Sequence, residues 1–222
     1  AAPGARPCKP ARRQPTALPV PGRAARAAAA AAARSGASSG AGGRRAVSQP
    51  GAVSPLAPAR FPDLPAIAGL EAAIGSAGFY KHARPDLLLV RAQKGARAAG
   101  VFTTNAVGSA PTDWCKQALA ATRGSARGLL VNAGCANSFT GPPGEAACKR
   151  ALEAAGAKLD IPPREMLAAS TGVIGVVLDD AKIARALPAM QLGPVDWRAC
   201  AEAIGTTDTF PKGAGATCEI DG

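Results

Sequence analysis

The chain has 222 residues and a formal net charge of +11, unevenly spread: residues 1–60 hold ten Lys and Arg and no acid, whereas residues 61–222 hold sixteen basic and fifteen acidic side chains. The basic signal that would suggest a nucleic-acid-binding surface therefore belongs to the leading segment and not to a domain surface. No run of about 18 apolar residues exists to span a membrane; the six cysteines (Cys8, Cys115, Cys135, Cys148, Cys200 and Cys218) contain no CxxC pair, and the single His82 leaves little for a His-based metal site.

Residues 1–60 alternate Ala, Arg, Pro, Gly and Ser, with too few large apolar side chains to offset the entropy of ordering the backbone. The segment is expected to be disordered alone, with at most a marginal helix over Ala24–Arg34. An acid-free, Arg- and Ser-rich leader has the composition of an organelle transit peptide. A flexible tail or linker and a nucleic-acid-binding arm are the other two readings. The chain begins with Ala1, which fits an N-terminal fragment or a processed form.

From Phe61 the pattern changes to short apolar runs separated by Gly and charged residues, which marks the domain as residues 61–222. Leu87–Val90, Ala99–Phe102 and Gly128–Val131 are apolar runs suited to buried strands. A helix is predicted over Trp114–Ala121, with Thr112 or Asp113 as its N-cap. Glu145–Lys158 places Ala147, Cys148, Ala151, Leu152 and Ala155 on one face at helical spacing. Asp179 or Asp180 caps a predicted helix over Ala181–Met190, strained at Pro188, and Pro194-Val195-Asp196 opens another over Trp197–Ile204. Strands and helices mixed in this order imply a layered α/β or α+β domain.

Four small-polar segments lie where strands or helices should end, which is where loops meet ligands. Ala99–Asn105 ends in Thr103, Thr104 and Asn105, and Val131–Gly141 carries Asn132 and Asn137 beside Gly134. In both, the amides and hydroxyls either hold a polar substrate or bond their own backbone in turns. Ala169–Gly175 contains a Thr171-Gly172 step, a hydroxyl beside an unobstructed N–H, as an oxyanion requires during acyl transfer; it is equally a turn or a helix start. Gly205–Lys212 gathers three hydroxyls, Asp208 and Lys212, for capping or for an amino-acid-like ligand. No nucleophile elbow accompanies His82, which reads as a loop residue, and Cys135 reads as a small packing residue more readily than as a thiol nucleophile. No Walker or dinucleotide glycine pattern appears. The residues alone thus give an α/β-type domain with oxyanion and substrate loops but no attacking group.

In order, AGVFTTN (99–105), APTDWC (110–115), VNAGCANSFTG (131–141), STGVIG (170–175) and TTDTFPK (206–212) resemble the ornithine acetyltransferase, or glutamate N-acetyltransferase, family. Gly78-Phe79-Tyr80-Lys81 and Asp86–Val90 also fit, so the resemblance covers roughly residues 62–222. It implies acetyl transfer from N-acetylornithine to glutamate in the cyclic arginine pathway, with acetyl-CoA as a further donor in some members and no bound cofactor or metal. It also implies self-cleavage before a Thr that becomes the nucleophile of a second, β chain, its own α-amine serving as base. Thr171 and Gly172 then correspond to the oxyanion hole, and Thr206 or Thr207, with Thr207 favoured, to a substrate contact.

The implied fold is a layered α+β sandwich, incomplete without the β chain, in a heterodimer or heterotetramer. Two departures stand out. Cys135 occupies a position where the family has Asn, and the sequence reaches Gly222 before the family's Gly- and Lys-containing segment and cleavage-site Thr. These residues are therefore expected to be a leader plus most of the α portion, inactive alone. The expected location is the plastid, with the mitochondrial matrix as the alternative, and no membrane or nucleic-acid partner is expected. The rival readings are a self-processing aminopeptidase of related fold and a non-catalytic binding or scaffold chain.

Overall fold

A computed structural model describes residues 53–219. The leader expected to be disordered, residues 1–60, falls mostly outside the described residues, and the helix expected over Ala24–Arg34 wholly so. Four strands, β1 (Leu70–Gly75), β2 (Leu87–Ala92), β3 (Gly128–Cys135) and β4 (Met166–Val173), form one mixed sheet in sequence order. β1 pairs antiparallel with β2 and β2 antiparallel with β3, whereas β3 and β4 are parallel. A parallel pair needs a long crossover. The 19-residue α2 (Gly141–Leu159) supplies it.

The remaining helices are α1 (Ala110–Thr122), α3 (Asp180–Ala186) and α4 (Trp197–Ile204). α1 packs on β4 and α2, α2 packs on α3, and α4 lies against β1, β2 and β3. Leu87-Leu88-Leu89 is apolar without interruption because both faces of the sheet are covered. Leu87 and Leu89 enter the core with α2, and Leu88 enters a smaller cluster with Ala72, Val131 and Cys200 of α4. The result is the layered α+β class expected.

The predicted α2 face is the buried one, with Leu159 added at its end. Its small residues let the helix approach the sheet closely while Leu152, fully buried, supplies about 1.5–3 kcal/mol of transfer free energy. α4 spans the predicted residues, and the Asp196 carboxylate accepts from the Ala199 amide at 3.0 Å.

Several expectations are corrected, beginning with α2, which starts at Gly141, four residues before Glu145. α1 begins four residues before Trp114, and its cap is Ser109, not Thr112 or Asp113; Ser109 Oγ accepts from the Thr112 amide at 3.4 Å. Pro111 is tolerated there because the first helical turn has no intrahelical use for its missing N–H. The helix predicted to reach Met190 stops at Ala186 and tightens into a 3-10 turn over Leu187–Ala189, since Pro188 cannot donate to the α-helical ladder. Ala99–Phe102 is not a strand: Val101 is wholly exposed, no strand pairs with the run, and Lys116 of α1 lies over the Phe102 ring at 5.9 Å.

Two strands escaped the sequence reading altogether. β1 and β4 are rich in Ala, Ser and Gly, poor intrinsic strand formers, and are drawn into the sheet by pairing with β2 and β3.

Candidate active site

β4 runs out of the covered part of the sheet at Ser170-Thr171-Gly172, in register with Asn132-Ala133-Gly134 of β3. Both glycines have positive φ, 104° at Gly134 and 131° at Gly172. A Cβ on Gly172 would stand 2.7 Å from Gly134 Cα and from the Cys135 nitrogen, so β4 meets β3 here only because Gly172 has no side chain, whereas a Cβ on Gly134 would stand 2.7 Å from Phe79 Cβ in the β1–β2 loop. The turn beyond is fastened to the loop after β3, by Ala136 N–H to Val173 O and Gly175 N–H to Ser138 O, each 2.9 Å.

The two Asn side chains of Val131–Gly141 are committed to this scaffold. Asn132 Nδ2 donates to Cys135 O at 2.8 Å and its Oδ1 accepts from the Ser170 hydroxyl at 2.6 Å. Asn137, fully buried, donates to Gly144 O at 2.9 Å and accepts from the Thr140 hydroxyl at 2.9 Å. Their turn reading therefore holds, and their role is to fix the β3 and β4 ends. Cys135 is buried, its thiol donating to Val176 O at 3.3 Å and its acidity weakened by burial. Asn105 likewise caps its own turn, accepting from the Val107 amide at 3.2 Å. His82 is exposed beside Tyr80, with ring centroids 5.7 Å apart.

Thr171 is different. Half-buried, with no hydrogen-bond partner for its hydroxyl among the described residues, it opens into a cleft of about 590 Å³. The opposite wall is the end of α4 and the segment from Gly205 to Lys212, including Thr206. The fold thus brings Thr171 and Thr206 to one cavity from positions 35 residues apart in sequence. Thr207 is exposed and outside the lining, and Gly172 lies one residue beyond it, at the exposed strand end.

Asp208 and Lys212 form an ion pair on this wall, and the Asp208 carboxylate also accepts from the Thr206 amide at 3.4 Å. The Lys212 hydrogen bond holds the Asp208 carboxyl below the ordinary carboxylate range. Sequence reasoning missed Arg84, which reaches the cleft from the loop between β1 and β2. Its Nη2 donates to the carbonyls of Glu202 and Gly205, both at 2.8 Å, so it ties that loop to the far wall. The signal was unreadable because its partners are 118 and 121 residues away.

Asp86 secures the same loop. Buried, it accepts from the amides of Ala77 at 2.6 Å and Phe79 at 2.7 Å. No group of three or more His, Cys, Asp or Glu able to hold a metal occurs among the described residues.

The chain is 58% identical over 165 residues to the arginine biosynthesis bifunctional protein ArgJ of Caulobacter vibrioides, covering 73% of this chain and 41% of that protein. The ArgJ protein of Gluconobacter oxydans is 46% identical over 180 residues, covering 80% and 42%. The chain therefore spans about two-fifths of the length of these curated relatives. The structure of an ornithine acetyltransferase from Mycobacterium tuberculosis, complexed with ornithine, superposes with a TM-score of 0.58 at 34% identity, covering 69% of this chain and 92% of that chain. ArgJ from Bacillus halodurans superposes with a TM-score of 0.58 at 30% identity, covering 64% and 74%. The profile of the ArgJ family matches residues 71–222, most of the chain, and this chain belongs to that family.

Proposed function

We propose that this chain is the cleft-forming part of an enzyme that moves an acetyl group from N-acetylornithine to glutamate. The observation carrying this reading is the cleft that faces the uncommitted Thr171 hydroxyl toward Thr206 and the Asp208–Lys212 pair. Family membership and the ornithine held by the Mycobacterium tuberculosis neighbour support it. A Thr hydroxyl from the remaining length of the parent protein, freed by self-cleavage and assisted by its own α-amine, adds to the acetyl carbonyl. The Thr171 hydroxyl and the Gly172 N–H steady the oxyanion. Collapse of that adduct expels ornithine, which takes up the proton, and leaves an acetylated Thr. The α-amine of glutamate then attacks this ester, giving N-acetylglutamate and restoring the Thr hydroxyl. Acetyl-CoA can load the same Thr, its thiol leaving in place of ornithine. Thr206 or Thr207 contacts the substrate, and the cleft geometry speaks for Thr206.

The second, β chain docks at the end of β4, making a heterodimer that pairs into a heterotetramer. Phe139, Val173, Ile174, Val176 and Val177 are all exposed there, 43–67%, an apolar patch beside the oxyanion step that water alone does not favour. The acid-free first sixty residues support import into a plastid, the mitochondrial matrix being the second destination. A fusion of residues 1–60 to a fluorescent protein reads the address, and cytosolic retention overturns it.

The chemistry is tested in the full-length protein by ornithine release from N-acetylornithine with glutamate as acceptor. Thr171→Ala is expected to lower kcat by roughly 100-fold or more with little change in KM, and Thr206→Ala to act mainly on KM. An unchanged kcat in Thr171→Ala sinks the oxyanion assignment, and peptide hydrolysis without acetyl transfer would turn the reading toward an aminopeptidase.

A further inference from the structure

Four charged side chains line the cleft, and three of them are already paired: Lys212 with Asp208, and Glu202 Oε1 with Arg198 Nε at 3.0 Å. Arg84 has no carboxylate partner among the described residues. Its bonds go to uncharged carbonyls, through Nη2 to Glu202 O and Gly205 O and through Nε to Pro85 O at 3.2 Å. The Tyr80 ring lies 4.5 Å from its Cζ. Those contacts fix the plane of the guanidinium, while Nη1 makes no hydrogen bond among the described residues. The cleft thus contains a cation that is held in direction and not neutralised, which favours an anion in the adjoining space.

We propose that Arg84 is a ligand-binding residue whose Nη1 takes the α-carboxylate of the molecule in this cleft. The inference rests on the acetyl-transfer reading, because N-acetylornithine and glutamate differ in their side chains and in their nitrogens but share that group. One anchored carboxylate lets donor and acceptor occupy the same cleft in turn with the reacting nitrogen returned to the same place.

The test compares N-acetylornithine with its α-carboxamide, on the full-length protein, by kcat/KM for ornithine or ornithinamide release and by calorimetric binding. The wild type is expected to prefer the acid by roughly 10- to 100-fold, mostly through KM, and Arg84→Gln to bring that ratio close to one. A purely architectural Arg84 would weaken both ligands equally and leave the ratio standing, which overturns the proposal. So does a wild-type ratio near one. Should Arg84→Gln fail to fold, Arg84→Lys decides: a ratio reduced several-fold supports the assignment and an unchanged ratio rejects it. Absence of turnover with measurable binding defeats the acetyl-transfer reading alone, since the affinity ratio still judges Arg84; absence of binding of both ligands defeats both.

Discussion

On the face of the sheet covered by α1, α2 and α3, Leu87, Leu89, Leu130, Leu152, Met166 and Ile183 close a core in which none is more than 3% exposed. On the face covered by α4, Ala72, Leu88, Val131 and Cys200 form a thin layer, each 6–8% exposed, and the cleft opens beside it. The same strands thus carry two jobs: one face is filled with large side chains that resist deformation, while the other uses smaller ones and leaves room for a ligand. The difference assigns the stability of the domain mainly to the first face and leaves the second free for the proposed chemistry.

Truncation of each layer breaks the comparison most forcefully. Leu152→Ala should cost about 2–5 kcal/mol, whereas Val131→Ala on the cleft side should cost about 1.5 kcal/mol. Denaturant unfolding of the two variants side by side checks this, and equal losses would mean that the faces are energetically alike. Gly172→Ala comes next. With φ at 131° and β3 in the way, the strand end must shift, so a loss of more than about 1 kcal/mol is expected together with loss of activity.

A smaller effect concerns the exposed rim of the thick face, where Arg150 Nε bonds Asp180 at 2.8 Å and draws its carboxyl below the ordinary range. A carboxylate so lowered in the folded state adds stability above its unfolded titration, and that stability is lost as the pH falls through the folded one. Because Arg150 is exposed to solvent, Arg150→Gln should lower stability only slightly at neutral pH, with the difference from wild type shrinking in acid. Unfolding curves at neutral pH and near pH 3 read it. The gentlest probe leaves the sequence intact. Burial pushes the Cys148 thiol up to about 12, and of these three described cysteines exposed Cys218 should react with a maleimide first, followed by Cys200 of α4 and last by Cys148. Simultaneous labelling of Cys148 and Cys200 would show that the layers open together.

What the sequence revealed follows from how local each signal is. α2 and α4 were legible because spacing and capping lie within a single turn or two, as Asp196 and Ala199 show. β1 and β4 were not, because Ala and Ser acquire strand structure only from a neighbour, and the apolar Ala99–Phe102 run misled for the converse reason, lacking one. In the site, Thr171 and Thr206 were reached through motifs and resemblance. The local chemistry of Val131–Gly141 left substrate and scaffold roles open until Asn132 and Asn137 were seen to spend their amides on backbone carbonyls. Arg84 depends on a contact spanning more than half the chain, which no window of residues contains.

The two tryptophans happen to sit on opposite sides of this division. Trp114 of α1 donates its indole N–H to Met166 O at 2.9 Å, and Trp197 at the start of α4 donates to Pro65 O at 3.0 Å. Each indole is therefore an intrinsic optical reporter for one layer. During refolding, fluorescence from single-tryptophan versions would time the arrival of each layer separately, and the Trp197 contact, which closes 132 residues against 52 for Trp114, gives the Trp197 signal the slower clock.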